Sequence, residues 1–138
     1  MIKRWIVLLL LLFCSSAAVA DDSAILKIVE SSARAWLELL DNAKYRESWE
    51  HASPLLRSNK TETEWVKSTT EMRSPLGVAN ARYIATAGAA KSLSGLPDGD
   101  YVVLQFYTTF AQKGLALETV TLAKAQNDSW LIADYSVK

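Results

Sequence analysis

The chain changes hydrophobic period twice. It opens on an unbroken apolar block, Trp5 to Phe13, set between Lys3-Arg4 and the small residues Ser15 to Ala20. From Asp22 to about Gly77 apolar positions recur at steps of three and four, the signature of helices with one buried stripe. Ile25, Ile28, Val29, Ser32, Trp36, Leu39, Leu40 and Ala43 make one such stripe, with Lys27, Glu30, Arg34, Glu38 and Asp41 elsewhere on the wheel. That spacing predicts a first helix capped by Asp22 or Ser23. A second helix is predicted over about Lys44–Ala52, with Tyr45, Trp49 and Ala52 on one face and Pro54 ending or redirecting it. Thr61-Glu62-Thr63-Glu64 is a capping box, so a third helix begins there, with Trp65, Val66, Thr69 and Met72 facing inward and Pro75 and Gly77 closing it.

Beyond Gly77 the period becomes two. Ala81–Ala87 reads as a short strand followed by a Gly- and Ala-rich stretch, and Leu96-Pro97-Asp98-Gly99 as a turn. Tyr101–Phe110, Leu115–Lys124 and Trp130–Val137 then form strands joined by tight turns at Gln112-Lys113-Gly114 and Asn127-Asp128, an antiparallel meander. Helices grouped before strands predict an α+β domain, three N-terminal helices packed on a curved antiparallel sheet. This order resembles the cystatin-like cone shared by nuclear transport factor 2 and ketosteroid isomerase, where a pocket can open between helix and sheet.

The opening block changes the picture of where the domain works. A positive stretch, nine apolar residues and Ala18-Val19-Ala20 match a secretory signal peptide over residues 1–20, cleaved after Ala20. Nine helical residues span only about 15 Å, too short for a stable membrane anchor. Acylation of Cys14 would require a small preceding residue, and Phe13 stands there. The expectation is a periplasmic or secreted domain comprising residues 21–138.

Loss of Lys3 and Arg4 takes 15 basic residues to 13 against 15 acidic ones, a net charge of −2. That leaves no basic field for nucleic acid or an anionic membrane. Cys14 is the sole cysteine, so the exported part has neither disulfide nor thiol nucleophile. With one histidine, a zinc site lacks ligands, and the aspartates do not follow a calcium-loop spacing; neither metal nor cofactor is expected.

Ser48-Trp49 with Ala52-Ser53, Arg73-Ser74-Pro75-Leu76-Gly77, Pro97-Asp98-Gly99 with Tyr101, Glu118-Thr119-Val120-Thr121 and Trp130 occur in order. As an ordered set they resemble a bacterial exported family of unknown function, number 4019 among such domains, from about Ala35 to Tyr135. The resemblance implies a small signal-bearing periplasmic domain and carries no activity.

Candidate chemistry is sparse. His51 suits a general base near neutral pH, but a base needs a positioned partner; the plainer reading is a helix-surface histidine. Glu118 shares a strand face with Val120 and Leu122, the expected core face. It is either a pocket anchor or acid of raised pKa, or a structural ion pair with Arg73 or Arg82. Asp134 faces solvent or a pocket mouth. Trp36, Trp49, Trp65 and Trp130 either line an apolar slot or bridge helices to sheet. The expected function is a non-enzymatic accessory module that binds a small ligand or an envelope protein, with a second copy docking through the sheet as a further partner. The alternative is an isomerase- or hydrolase-like enzyme using Glu118, His51 or Asp134 as acid or base. Glu118 oxygens already bound by Arg73 or Arg82 would tell against the enzyme.

Overall fold

The computed structural model describes residues 17–138, with side chains from Asp22 onward; residues 1–16, most of the signal-peptide reading, lie outside the described residues. Four helices and a four-stranded antiparallel sheet form an α+β fold. The helices are α1 (Ala17–Asp41), α2 (Tyr45–Glu50), α3 (Pro54–Asn59) and α4 (Glu62–Arg73), continued by a short 3-10 turn over Ser74–Leu76. The strands are β1 (Ala79–Ala90), β2 (Tyr101–Phe110), β3 (Gly114–Lys124) and β4 (Trp130–Val137), in sheet order β1-β2-β3-β4.

Several sequence expectations are corrected. Among the described residues there are four α-helices rather than three, because Pro54 starts a helix instead of only ending one. Its missing N–H costs nothing at the first helical position, and Ser53 caps the helix by accepting from the Leu55 N–H at 3.2 Å. Asp22 and Ser23 are not caps, since α1 is already helical from Ala17. Ala43 lies past the end of α1 with φ of +56°, where the Ala43 and Lys44 N–H groups donate back to the carbonyls of Leu40 and Leu39. These are the two bonds of a Schellman ending, usually made by glycine. β1 runs on through the Gly-Ala stretch to Ala90, because pairing with β2 supplies order that its small side chains do not. The capping box at Thr61 and Glu64 forms as expected, both bonds at 3.2 Å.

The core lies between α1 and one face of the sheet. Val29, Ala33, Trp36, Leu37 and Leu40 pack against Leu104, Phe106, Val120, Leu122, Ile132 and Tyr135. Ile25 and Ile28, expected on the buried stripe, are exposed, and Ala33 and Leu37 take the inner positions instead. Ser48 ties α2 to this core. It is fully buried, its carbonyl accepts from the Trp36 indole at 2.8 Å, and its hydroxyl accepts from the Trp65 indole at 2.9 Å. The segment after β1 folds back: Leu93 and Leu96, with Leu55, pack on Tyr101, Ala123 and Ala133 as a second, smaller cluster.

Candidate functional site

Two features qualify as sites: a buried ionic cluster at one end of the core, and a pair of clefts beside Trp130. The cluster begins at the last residue of α1. The left-handed turn at Ala43 ends the helix so that Asp41 meets Arg73, the last residue of α4, and Arg82 of β1. Arg82 donates to both Asp41 oxygens, Nη1 to Oδ2 at 2.8 Å and Nη2 to Oδ1 at 2.9 Å, while Arg73 Nη2 donates to Oδ1 at 2.7 Å. The Nε of Arg82 turns the other way and donates to Glu118 Oε1 at 2.6 Å.

Glu118 is fully enclosed, with 0% exposure. Thr108 also donates to its Oε1, and the Tyr135 hydroxyl donates to Oε2. Arg73 is a weaker partner, its Nη1 standing 3.9 Å from Oε2. The guanidinium of Arg73 lies over the Phe110 ring at 5.1 Å, as that of Arg34 lies over Phe106 at 5.2 Å. Two carboxylates face two guanidiniums, so the group is neutral as a whole and its buried charges are paired, while the Nε of Arg73 is left without a hydrogen-bond partner.

Burial acts to raise the pKa of Asp41. Hydrogen bonds from Arg82 and Arg73, with their charges, outweigh it and hold the carboxyl below its ordinary value. Burial acts to lower that of Arg82, but bonds to Asp41 and Glu118 and their charges raise it. The Tyr135 phenol is pushed up by burial first and the Glu118 charge second, so it stays a proton donor to the carboxylate.

Glu118 thus has Arg82 as its direct ion-pair partner, and both of its oxygens accept hydrogen bonds from side chains of the chain itself. Asp41, Thr108 and Tyr135 complete the cluster and were not singled out from sequence. For Tyr135 the usable signal was its place on the core face of β4; Asp41 fell off the expected stripe of α1 and is in phase instead with Leu37, whose burial the fold decides. A cleft of about 210 Å³ borders Asp41 and Arg73, and only Asp41, at 24% side-chain exposure, opens toward solvent.

His51 and Asp134 are not brought to Glu118. His51 is exposed and lines a different cleft. Asp134 is exposed and, next to buried Tyr135 in the strand, points to the opposite face of the sheet. Trp49 is half-buried against the core and donates from its indole to the Lys60 carbonyl at 2.8 Å, fastening α2 to the start of α4. Among the described residues, no three His, Cys, Asp or Glu side chains gather as a metal site, and no helix is long and apolar enough to cross a membrane.

The clefts lie at the other end of the core. One, about 440 Å³, sits between the first turns of α1 and the sheet end, where Ile25, Ala89, Val102 and Trp130 supply apolar walls and Asp22, Lys91, Asp100 and Lys124 the rim. The small side chains of Ala89 and Ala90 leave this space open. A second, about 390 Å³, runs between α1 and β4, bounded by Ala35, Trp36, Leu39, Leu131 and His51. Trp130 borders both, so the two form neighbouring parts of one apolar surface.

No curated protein matches the chain. Among solved structures, a protein from Catenulispora acidiphila, determined at 2.5 Å, is similar with a TM-score of 0.53 and 16% identity, covering 86% of this chain and 94% of that one. At that identity the likeness concerns the fold alone. A family model described as protein of unknown function (DUF4019) matches residues 32–135, a span that takes in α1 from its second half, the ionic cluster and Trp130, and the chain belongs to that family.

Proposed function

We propose that this protein is an exported, non-catalytic binding module, released into the periplasm after cleavage at Ala20, that holds a small, mainly apolar molecule against Trp130. The observation that carries the reading is the half-buried Trp130 between two clefts, apolar on their walls and charged at one rim. Binding sites for small molecules have this make-up, an apolar lining with a few polar groups that orient the ligand. The charged rim, with Lys91 and Lys124 beside Asp22 and Asp100, suits a molecule with an apolar body and a polar head. The buried ionic cluster supports the same reading from the other side, since the oxygens of Glu118 and Asp41 are taken up by partners within the chain and, of the two, Asp41 alone borders a cleft.

A cystatin-like or nuclear-transport-factor-2-like cone is the architecture we infer for this frame. Helices that precede the sheet, and register shifts between Ile84 and Thr86 and between Thr121 and Leu122, support it, because such shifts bend strands.

The test is native mass spectrometry of protein purified from its own envelope fraction, paired with titration by the probe anilinonaphthalene sulfonate. A bound mass that disappears in Ala89→Trp, which fills the larger cleft from an exposed position, supports the module. A bare mass together with probe binding no different in Ala89→Trp and Trp130→Ala sinks it.

A further inference from the structure

The sheet has a second face, and most of it is bare. Along β1 and β2 it carries Tyr83 opposite Tyr107, and Leu117 of β3 pairs with Tyr107 to complete a row across three strands. The next row is Ala81, Thr109 and Leu115. Tyr83, Tyr107 and Leu115 are 69%, 52% and 67% exposed. On the other side of the tyrosines, Thr86, Gln105 and Thr119 form an uncharged ladder, with contacts of 2.7 Å from Thr86 Oγ1 to Gln105 Oε1 and 3.4 Å from Gln105 Nε2 to Thr119 Oγ1. Two charged side chains stand at the β4 margin of this face: Lys138, opposite Leu117 in the tyrosine row, and Asp134, opposite Thr121 one row beyond the ladder. Farther along, the 91–99 segment covers the sheet through Leu93 and Leu96, so the bare area ends where the chain's own cover begins.

Soluble surfaces interleave charges of both signs, and an antiparallel sheet with a solvated face alternates apolar-in with polar-out. Here two tyrosines and two leucines stand where charges would keep the sheet wet. Aromatic residues are enriched, and charged ones depleted, at the centres of protein interfaces.

We infer that this face is the docking surface for a second copy of the chain, the two sheets packing face to face about a two-fold axis. Size and charge both select that occupant. Four strands at about 4.8 Å spacing, bare for about eight residues at about 3.4 Å each, give a flat footprint near 500 Å². The tyrosines and leucines stand above that plane, so the accessible area of the face exceeds its flat footprint, in the direction of the roughly 800 Å² per partner of a stable complex. A face with neutral rows at its centre offers little to select a highly charged partner, whereas it is complementary to itself: the same neutral rows meet, and each copy brings one acid and one base, Asp134 and Lys138, at the β4 margin. The clefts beside Trp130 lie at the other end of the molecule, so dimerisation and ligand binding stand or fall separately.

The test is sedimentation equilibrium of the purified protein from about 1 to 100 µM, on the natural chain, Tyr107→Lys, Leu115→Lys and, as a control on a different surface, Ile28→Lys. All three positions are exposed, and circular dichroism checks that each variant is folded. The natural chain is expected to be a dimer. Tyr107→Lys and Leu115→Lys each set a lysine from one copy against its twin surface and are expected to raise the dissociation constant at least about 100-fold, while Ile28→Lys leaves it unchanged. A monomer at 100 µM overturns the inference, as does a dimer that Tyr107→Lys and Leu115→Lys leave intact.

Discussion

Replacing Glu118 by Gln measures what the ionic cluster contributes. The change keeps the shape of the side chain and removes one charge, so no cavity opens and the cost reports electrostatics and hydrogen bonding. At 0% exposure, Glu118 holds Arg82 at 2.6 Å and accepts from Thr108 and Tyr135. In the variant one end of the amide is an NH2: in place of Oε1 it faces the Arg82 N–H, which can only donate, and in place of Oε2 it forces the Tyr135 hydroxyl to turn from donor to acceptor. Removing one partner of a buried pair costs about 3–5 kcal/mol. Arg82 keeps both bonds to Asp41, at 2.8 and 2.9 Å, so its charge is not orphaned and the lower end applies, about 3 kcal/mol. For a domain of this length that corresponds to a fall in Tm of about 10 °C. Asp41→Asn removes a carboxylate that is 24% exposed and should cost less, about 1–2 kcal/mol. Urea unfolding followed by tryptophan fluorescence gives both values. A loss under about 1 kcal/mol for Glu118→Gln, or a larger loss for Asp41→Asn, would refute the claim that the buried carboxylate organises the cluster.

Other consequences follow from single groups. Asp41 titrates below its ordinary 3.8, so its contribution is complete above that value and is lost as pH falls through the lower folded value. The acid limb of stability below about pH 4 should therefore be shallower in Asp41→Asn, as urea midpoints between pH 2 and 7 would show. The Tyr135 pKa is raised above 10.0, so its contribution is complete below pH 10 and is lost as pH rises through the folded value; Tyr135→Phe should flatten the alkaline limb. Ala43→Gly should stabilise by about 1 kcal/mol, because Ala43 holds φ of +56° at the end of α1, where a Cβ is penalised. Gly77→Ala should cost more than that in thermal unfolding: φ is +81°, and a Cβ would stand 3.0 Å from both Gln112 N and Gln112 Cγ.

Local signals determined much of this protein. Thr61 and Glu64 lie three residues apart, and a capping box requires only those four residues, so the start of α4 was legible. Alternation in β2, and an apolar run bounded by turn residues in β4, marked both strands at their observed limits, Tyr101–Phe110 and Trp130–Val137, because strand period and turn chemistry are local and need no knowledge of the partner. The placement of Glu118 on the core face of β3 follows from the same period, and with it the need for a buried cationic partner. Which cation answers was decided by the fold. Arg82 reaches Glu118 from β1 across β2, Arg73 turns chiefly to Asp41, and Asp41 joins them because a turn at Ala43 ends α1 opposite both arginines. Tertiary packing alone also set the angle at which α1 meets the sheet, which left Ile25 and Ile28 exposed and opened the clefts beside Trp130. Patterns with a period of two or four residues describe an element and its faces; the meeting of side chains 30 to 60 positions apart depends on how those faces are brought together, and no short-range pattern records it.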